Sequence, residues 1–227
     1  MRTQIPLGIS LQDSATFANF CAGPNRAALA AVQSGREPCV YLWGARGSGR
    51  THLLQAACHA AAAAGGVPVY LPLGATGELS PEIFEGLEQM GLVCLDDIDA
   101  VVGQVSWETG LFHLYNRLRD GRVRLLITGG SAPAALGLRL PDLVSRLSWG
   151  PVFQLQRLED AEKVVALQLH AVARGLDLPQ DVGYYLLRRC PRDMHSLISV
   201  LDRLDHASLA AQRRLTIPFV RDLLGAP

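Results

Sequence analysis

The stretch Gly44-Ala45-Arg46-Gly47-Ser48-Gly49-Arg50-Thr51 constrains this chain more than any other. It lies between a β-type run, Val40–Trp43, and a helix-like segment, Thr51–Ala64. A strand, a glycine-rich turn and a helix in that order form a phosphate cradle. Glycines let backbone N–H groups turn inward around a β-phosphate, and the helix N-terminus adds partial positive charge. Thr51 supplies a hydroxyl for Mg²⁺. The expected ADP or ATP contacts are therefore Gly44, Ala45, Arg46, Gly47, Ser48, Gly49, Arg50 and Thr51, with His52 in the first helix turn. Shuffled chains of this glycine content yield such a pattern roughly once or twice in a hundred, and the flanking strand and helix lower that further. Arg50 stands where Lys is usual. Arginine keeps the charge and can fork onto phosphate oxygens, but it is larger and planar. Binding should survive the exchange, and hydrolysis by the chain itself should be slow.

A second acidic element fits the same site. Leu92-Val93-Cys94-Leu95 is an apolar strand that runs into Asp96-Asp97. Asp96 would hold Mg²⁺ through water and Asp97 would orient an attacking water. Asp97 is one methylene shorter than a glutamate, which again points to weak turnover. An EF-hand loop is ruled out because Val101 and Gly103 stand where oxygen ligands would follow. Thr128 ends the apolar run Arg124–Thr128 and can sense a γ-phosphate, or be an ordinary strand-end threonine.

The remaining pattern gives the fold class. Five β-type runs, Val40–Trp43, Val67–Leu71, Leu92–Leu95, Arg124–Thr128 and Val152–Leu155, are continuously apolar, as parallel strands covered on both faces are. Helix-like segments lie between them at Thr51–Ala64, Pro81–Met90, Trp107–Arg119 and Pro141–Leu147. The expectation is an α/β P-loop domain with a five-stranded parallel sheet sandwiched by helices. After Leu155 only helices follow, at Asp160–Arg174, Gln180–Cys190, Asp193–Gln212 and beyond Pro218. The predicted organisation is an N-terminal peptide (1–14), a nucleotide-binding domain (15–155) and a small helical domain (156–227).

Several classes are excluded. With 21 basic and 21 acidic residues the chain lacks the basic excess of a dedicated duplex-DNA binder. Its five cysteines are scattered without metal-ligand spacing and read as buried reduced thiols. No apolar run is long enough to span a bilayer and no signal-peptide pattern opens the chain, so a cytoplasmic protein without membrane contact is expected. No Gly-x-Ser-x-Gly elbow supports a serine hydrolase.

From Ala15 onward the chain resembles the DnaA/Hda branch of the AAA+ superfamily. The stretches that carry this are Thr16-Phe17-Ala18-Asn19-Phe20, the P-loop with Thr51-His52-Leu53-Leu54, Leu95-Asp96-Asp97-Ile98, Leu143–Gly150 and Leu215–Val220. The resemblance implies an AAA+ core with a helical lid and an adenine pocket near Phe17–Gly23, which includes Phe20. It implies an arginine finger at Arg146, in Ser145-Arg146-Leu147, and a phosphate-closing sensor 2 at Arg192. Local chemistry alone leaves Arg146 a surface ion-pair residue and Arg192 an exposed helix arginine. Gly130 replaces an Asp usual after the Thr128 strand.

Gln4-Ile5-Pro6-Leu7-Gly8-Ile9 resembles the clamp-binding peptide of that branch, with Gly8 where Pro is usual. Such a peptide docks Gln4, Leu7 and Ile9 into a groove on the DNA polymerase III β sliding clamp. The chain ends at Pro227, before the helix-turn-helix domain with which DnaA reads origins, so DNA is expected to be reached only through the clamp. The implied function is a regulator of DnaA, nucleotide-bound and clamp-tethered, that donates Arg146 to ATP held by DnaA and so inactivates the initiator. The alternative is a DnaC-like helicase loader or another single-stranded-DNA-binding AAA+ ATPase. A homodimer is left open.

Overall fold

The structure, a computed structural model, describes residues 15–75, 80–211 and 213–225. The predicted clamp-binding peptide Gln4–Ile9 lies outside them. The chain divides into two compact units, one of the described residues 15–17 and 25–156, the other of 18–24 and 157–225. Residues 18–24, read from sequence as part of the nucleotide-binding domain, thus group with the second unit.

The first unit is built on a parallel sheet of β1 (Cys39–Gly44), β2 (Pro68–Pro72), β3 (Leu92–Asp96), β4 (Arg124–Gly129) and β5 (Val152–Leu155), in the order β2-β3-β4-β1-β5. Both faces are covered, which is why the strands read as continuous apolar runs. Cys39, Tyr41, Val93, Leu95, Leu125 and Ile127 pack with Trp107, Leu111, Leu114 and Leu118 of α3 (Val105–Asp120) and with Leu143 and Leu147 of α4 (Pro141–Leu147). The alternate residues Val40, Leu42, Cys94 and Leu126 are equally buried, and the Cys94 thiol meets the Leu54 carbonyl of α2 (Arg50–Ala63). Each such aliphatic side chain contributes roughly 1.5–3 kcal/mol on burial.

Two segments depart from the sequence expectation. The predicted helix Pro81–Met90 is instead two 3₁₀ turns, Pro81–Phe84 and Leu87–Gln89, broken by extended Glu85 and left-handed Gly86 (φ 79°). Glycine is a poor helix former and readily takes the positive φ that ends a helix. A helix not expected, α1 (Arg26–Ser34), precedes β1 and ends at left-handed Gly35. Just after β5, the Asn25 side-chain amide donates to the Gln156 carbonyl (3.0 Å) and accepts from the Gln156 N–H (2.8 Å).

The second unit holds α5 (Asp160–Val172), α6 (Gln180–Arg189), α7 (Met194–Ala211) and α8 (Ile217–Leu224). Their core contains Leu167, Leu186, Leu197, Leu201, Leu204 and Val220. Glu159 and Glu162 form a reciprocal capping box at the start of α5, and Thr216 caps α8 ahead of Pro218. Gly183 lets α6 approach α5, because a Cβ there would lie 2.8 Å from a Val164 methyl. Among the described residues no helix is long and apolar enough to cross a membrane, and no His/Cys/Asp/Glu cluster could hold a metal. Cys39, Cys58 and Cys94 are buried free thiols, while Cys21 and Cys190 are half-buried.

Candidate nucleotide-binding site

The cradle loop runs from β1 to α2 at the C-terminal end of the sheet. Gly44 admits no side chain: a Cβ would stand 2.3 Å from the Leu155 carbonyl oxygen and 2.9 Å from Ser48 Oγ. Gly47 (φ 82°) and Gly49 (φ 97°) are left-handed, and the Ser48 N–H closes the turn on the Ala45 carbonyl at 3.1 Å. Ala45, Arg46 and Gly47 form the exposed tip. α2 begins at Arg50, so its first-turn amides have no carbonyl within the helix to bond. Ser48 Oγ and Arg50 Nη1 are buried without a hydrogen-bond partner among the described residues. Free first-turn donors, the Arg50 guanidinium and a loop with no room for a side chain at Gly44 suit a phosphate group. Backbone amides and Arg50 would hold it.

The acidic half is fixed by strand register. Leu95 of β3 pairs with Ile127 of β4, which brings the next residues, Asp96 and Thr128, side by side. Asp96 is buried, and three hydroxyls donate to it: Thr51 and Tyr70, each at 2.7 Å to Oδ2, and Thr128 to Oδ1. Thr128 Oγ1 also accepts the Asp97 N–H at 2.9 Å. That bond helps hold Asp97 in the left-handed region (φ 55°, ψ 57°), a conformation that is costly for a non-glycine residue. Asp96 and Thr51 are the residues whose oxygens fit Mg²⁺, by the hardness of the donors.

Arg50 Nη2 lies 3.0 Å from Asp97 Oδ1, and Nη1 lies 3.9 Å from Asp99 Oδ2. Burial and the neighbouring Asp96 push the Asp97 carboxyl above its ordinary value, against the lowering pull of Arg50. Asp99 also accepts the Gly130 N–H on both oxygens, at 2.9 and 2.7 Å. A Cβ on Gly130 would come within 3.1 Å of that carboxylate. The glycine at this position thus makes room for an acid supplied from another segment. His52 Nε2 bonds the Thr16 carbonyl at 2.8 Å, and burial lowers its pKa.

The structure therefore brings together Gly44–Thr51, Asp96, Asp97 and Thr128. Of the remaining predicted residues, Phe17 and Arg146 stand elsewhere in the first unit, while Phe20 and Arg192 belong to the second. Phe17 lines an open cleft of about 250 Å³ with Val32, Ala57, Ala60, Ala61 and Arg124, toward the C-terminal half of α2 and away from the cradle. Phe20 belongs to the second unit. Arg192 also lies there, exposed, with Nη1 3.3 Å from Asp160 Oδ2 at the start of α5. Arg146 is half-buried on α4, its guanidinium carbon 4.3 Å from the ring centre of Trp149, which is 64% exposed. Two residues of these networks went unpredicted, Tyr70 and Asp99.

Comparison with known proteins matches this fold. Residues 160–224 match the family model of the Hda lid domain. Domain III of the replication initiation protein DnaA from Thermotoga maritima superposes with a TM-score of 0.76 at 22% identity, covering 95% of this chain and 98% of that one. AMPPCP-bound DnaA from Aquifex aeolicus gives 0.70 at 22%, over 86% of this chain and 66% of that one. The Thermotoga maritima RuvB branch-migration motor gives 0.60 at 15%, over 86% and 64%. The fold is of the AAA+ type, a five-stranded parallel sheet with helices and a C-terminal lid.

Proposed function

We propose that this Hda-like AAA+ protein of the DnaA branch regulates replication initiation by presenting Arg146 to ATP held by DnaA. DnaA then hydrolyses its ATP and loses its initiating form. An arginine donated in trans stabilises charge developing on the transferred phosphoryl group. The observation that carries this reading is the Hda-type lid at residues 160–224, joined to a P-loop whose Arg50 is engaged by Asp97 and Asp99. Such a site is suited to holding a nucleotide rather than turning it over. Among the described residues Arg146 rests on an exposed tryptophan and pairs with no carboxylate, which suits it to a partner.

In this reading Gln4–Ile9 tethers the chain to the β sliding clamp, and DNA is met through the clamp alone. Residues 1–14 serve as that peptide, residues 15–155 as the nucleotide domain and 156–227 as the lid. The chain's own nucleotide is ADP or ATP, with Mg²⁺ on Thr51 and Asp96.

The test is turnover of DnaA-bound ATP on clamp-loaded DNA. Arg146→Ala should lower the stimulated rate by at least about tenfold, as loss of an arginine finger does. Trp149→Ala should lower it about two- to fivefold, the scale of an exposed cation–π contact. A chain lacking Met1–Leu11 should lose clamp pull-down and stimulation together. Equal stimulation by wild type and Arg146→Ala removes the finger from Arg146.

A further inference from the structure

Glu108 has no part in the site described so far, yet it is a carboxylate only 1% exposed in the first turn of α3. A buried carboxylate is costly unless its oxygens are met by donors. Here three backbone N–H groups meet it, from two segments far apart in sequence. Gly103 donates to Oε1 at 2.7 Å; Arg139 and Leu140 donate to Oε2 at 2.8 and 3.0 Å.

Both segments lead to functional residues. Gly103 follows the 3₁₀ turn Ile98–Val101, which opens at Asp97 and contains Asp99, the two acids facing Arg50. Leu140 is the N-cap of α4, and its carbonyl accepts from Leu143 and Val144 (3.1 and 3.3 Å). α4 carries Arg146 and is only seven residues long. One side chain therefore bridges the turn beside the phosphate cradle and the start of the helix that bears the finger. A shift of either segment by an ångström breaks a charge-assisted hydrogen bond in a dry place unless the other follows.

We infer that Glu108 is a positioning residue for Arg146: it ties α4 to the Asp97–Gly103 segment, so that occupancy of this chain's own nucleotide site sets where the finger stands. A phosphate that draws Arg50 away from Asp97 and Asp99 frees that segment, and Glu108 carries the change to Leu140. The inference rests on the reading of Arg146 as the finger.

The experiment has two arms on the full chain. In the first, amide hydrogen exchange is followed by NMR with and without ADP, in the absence of DnaA. Wild type should show Gly103, Arg139 and Leu140 changing protection in concert, by about fivefold or more, the lower range of coupling between sites. Glu108→Gln should keep the Gly103 response and lose that of Arg139 and Leu140, since one amide oxygen cannot serve both segments. If wild-type Gly103 responds and Arg139 and Leu140 do not, the coupling is absent. The wild-type comparison in this arm needs no variant that might fold poorly, and no partner.

In the second arm, Glu108→Gln should lower the maximal stimulated rate of DnaA-bound ATP hydrolysis about fivefold or more. The half-saturating concentration for DnaA and the ADP Kd should stay as in wild type. A merely structural role would lower ADP affinity in parallel, and full stimulation by folded Glu108→Gln would equally overturn the proposal. Arg146→Ala run alongside separates the two readings: if that variant stimulates like wild type, the finger assignment fails, while the exchange arm still judges the coupling.

Discussion

The guanidinium of Arg50 and the carboxylate of Asp97 face each other at 3.0 Å across the mouth of the phosphate cradle, with Asp99 beyond. A third phosphate would bring more negative charge against two acids and compete with them for Arg50. ADP should therefore raise the melting temperature more than ATP does, both with Mg²⁺. Asp97→Asn should narrow the difference by removing one repelling charge. Thermal shift with both nucleotides checks this; a larger ATP shift in wild type reverses the argument.

Thr128 is the hinge between the two acids, donating to Asp96 and accepting from the Asp97 N–H. Thr128→Val keeps the shape and strands a backbone N–H beside a buried carboxylate that has lost a donor. The expected cost is about 1–3 kcal/mol, or roughly 2–12 °C in Tm for a chain of this size. Thr128→Ser keeps both bonds and should lose far less. Calorimetry of the two variants compares them.

Burial depresses the pKa of His52, whose neutral ring meets the Thr16 carbonyl. A histidine with a folded pKa below its unfolded value of about 6.5 contributes stability that is complete above that value. The contribution is lost as pH falls through the lower folded value. Wild type should thus lose more Tm between neutral pH and pH ~5 than His52→Gln, which does not titrate there. Parallel melting curves across that interval would refute the assignment.

Gly44 and Gly47 lie in one loop, yet substitutions there should fail for different reasons. Gly44→Ala drives a methyl against the Leu155 carbonyl oxygen, an overpacking expected to cost about 1–3 kcal/mol or more. Gly47→Ala meets open space and suffers only its left-handed backbone, about 1–2 kcal/mol. Urea unfolding should show the Gly44 variant as the less stable, and Gly47→Ala should keep ADP binding.

How far the sequence revealed the site follows from where its contacts come from. The cradle, Arg50 and Thr51 are local in the chain, so their chemistry could be read from spacing alone. Asp96 and Thr128 ended apolar strands, and parallel pairing made them neighbours. Tyr70 was invisible because only strand order brings β2 beside β3; nothing near it in sequence marks it as a donor to Asp96. Asp99 carries no motif of its own, and only the chain's path brings its carboxylate to the Gly130 N–H. Glu108 did leave a trace: with Leu111, Tyr115 and Leu118 it shares the buried stripe of α3, where a charge has no business unless partnered. Phe17 and Phe20 stood three residues apart and invited one shared role; Phe17 falls in the first unit and Phe20 in the second. The helix α1 was missed although Gly35 marks its end.

The place of β1 in the sheet has a consequence for how the protein is made. Its neighbours on both sides, β4 and β5, are translated long after it. A ribosome paused before Val152 has already released every residue of the P-loop, yet the carbonyl of Leu155 that packs against Gly44 does not exist. Long-range pairings of this kind slow folding, so on the nascent chain the nucleotide pocket matures late, and a chaperone would meet an unsupported glycine loop before any ligand could.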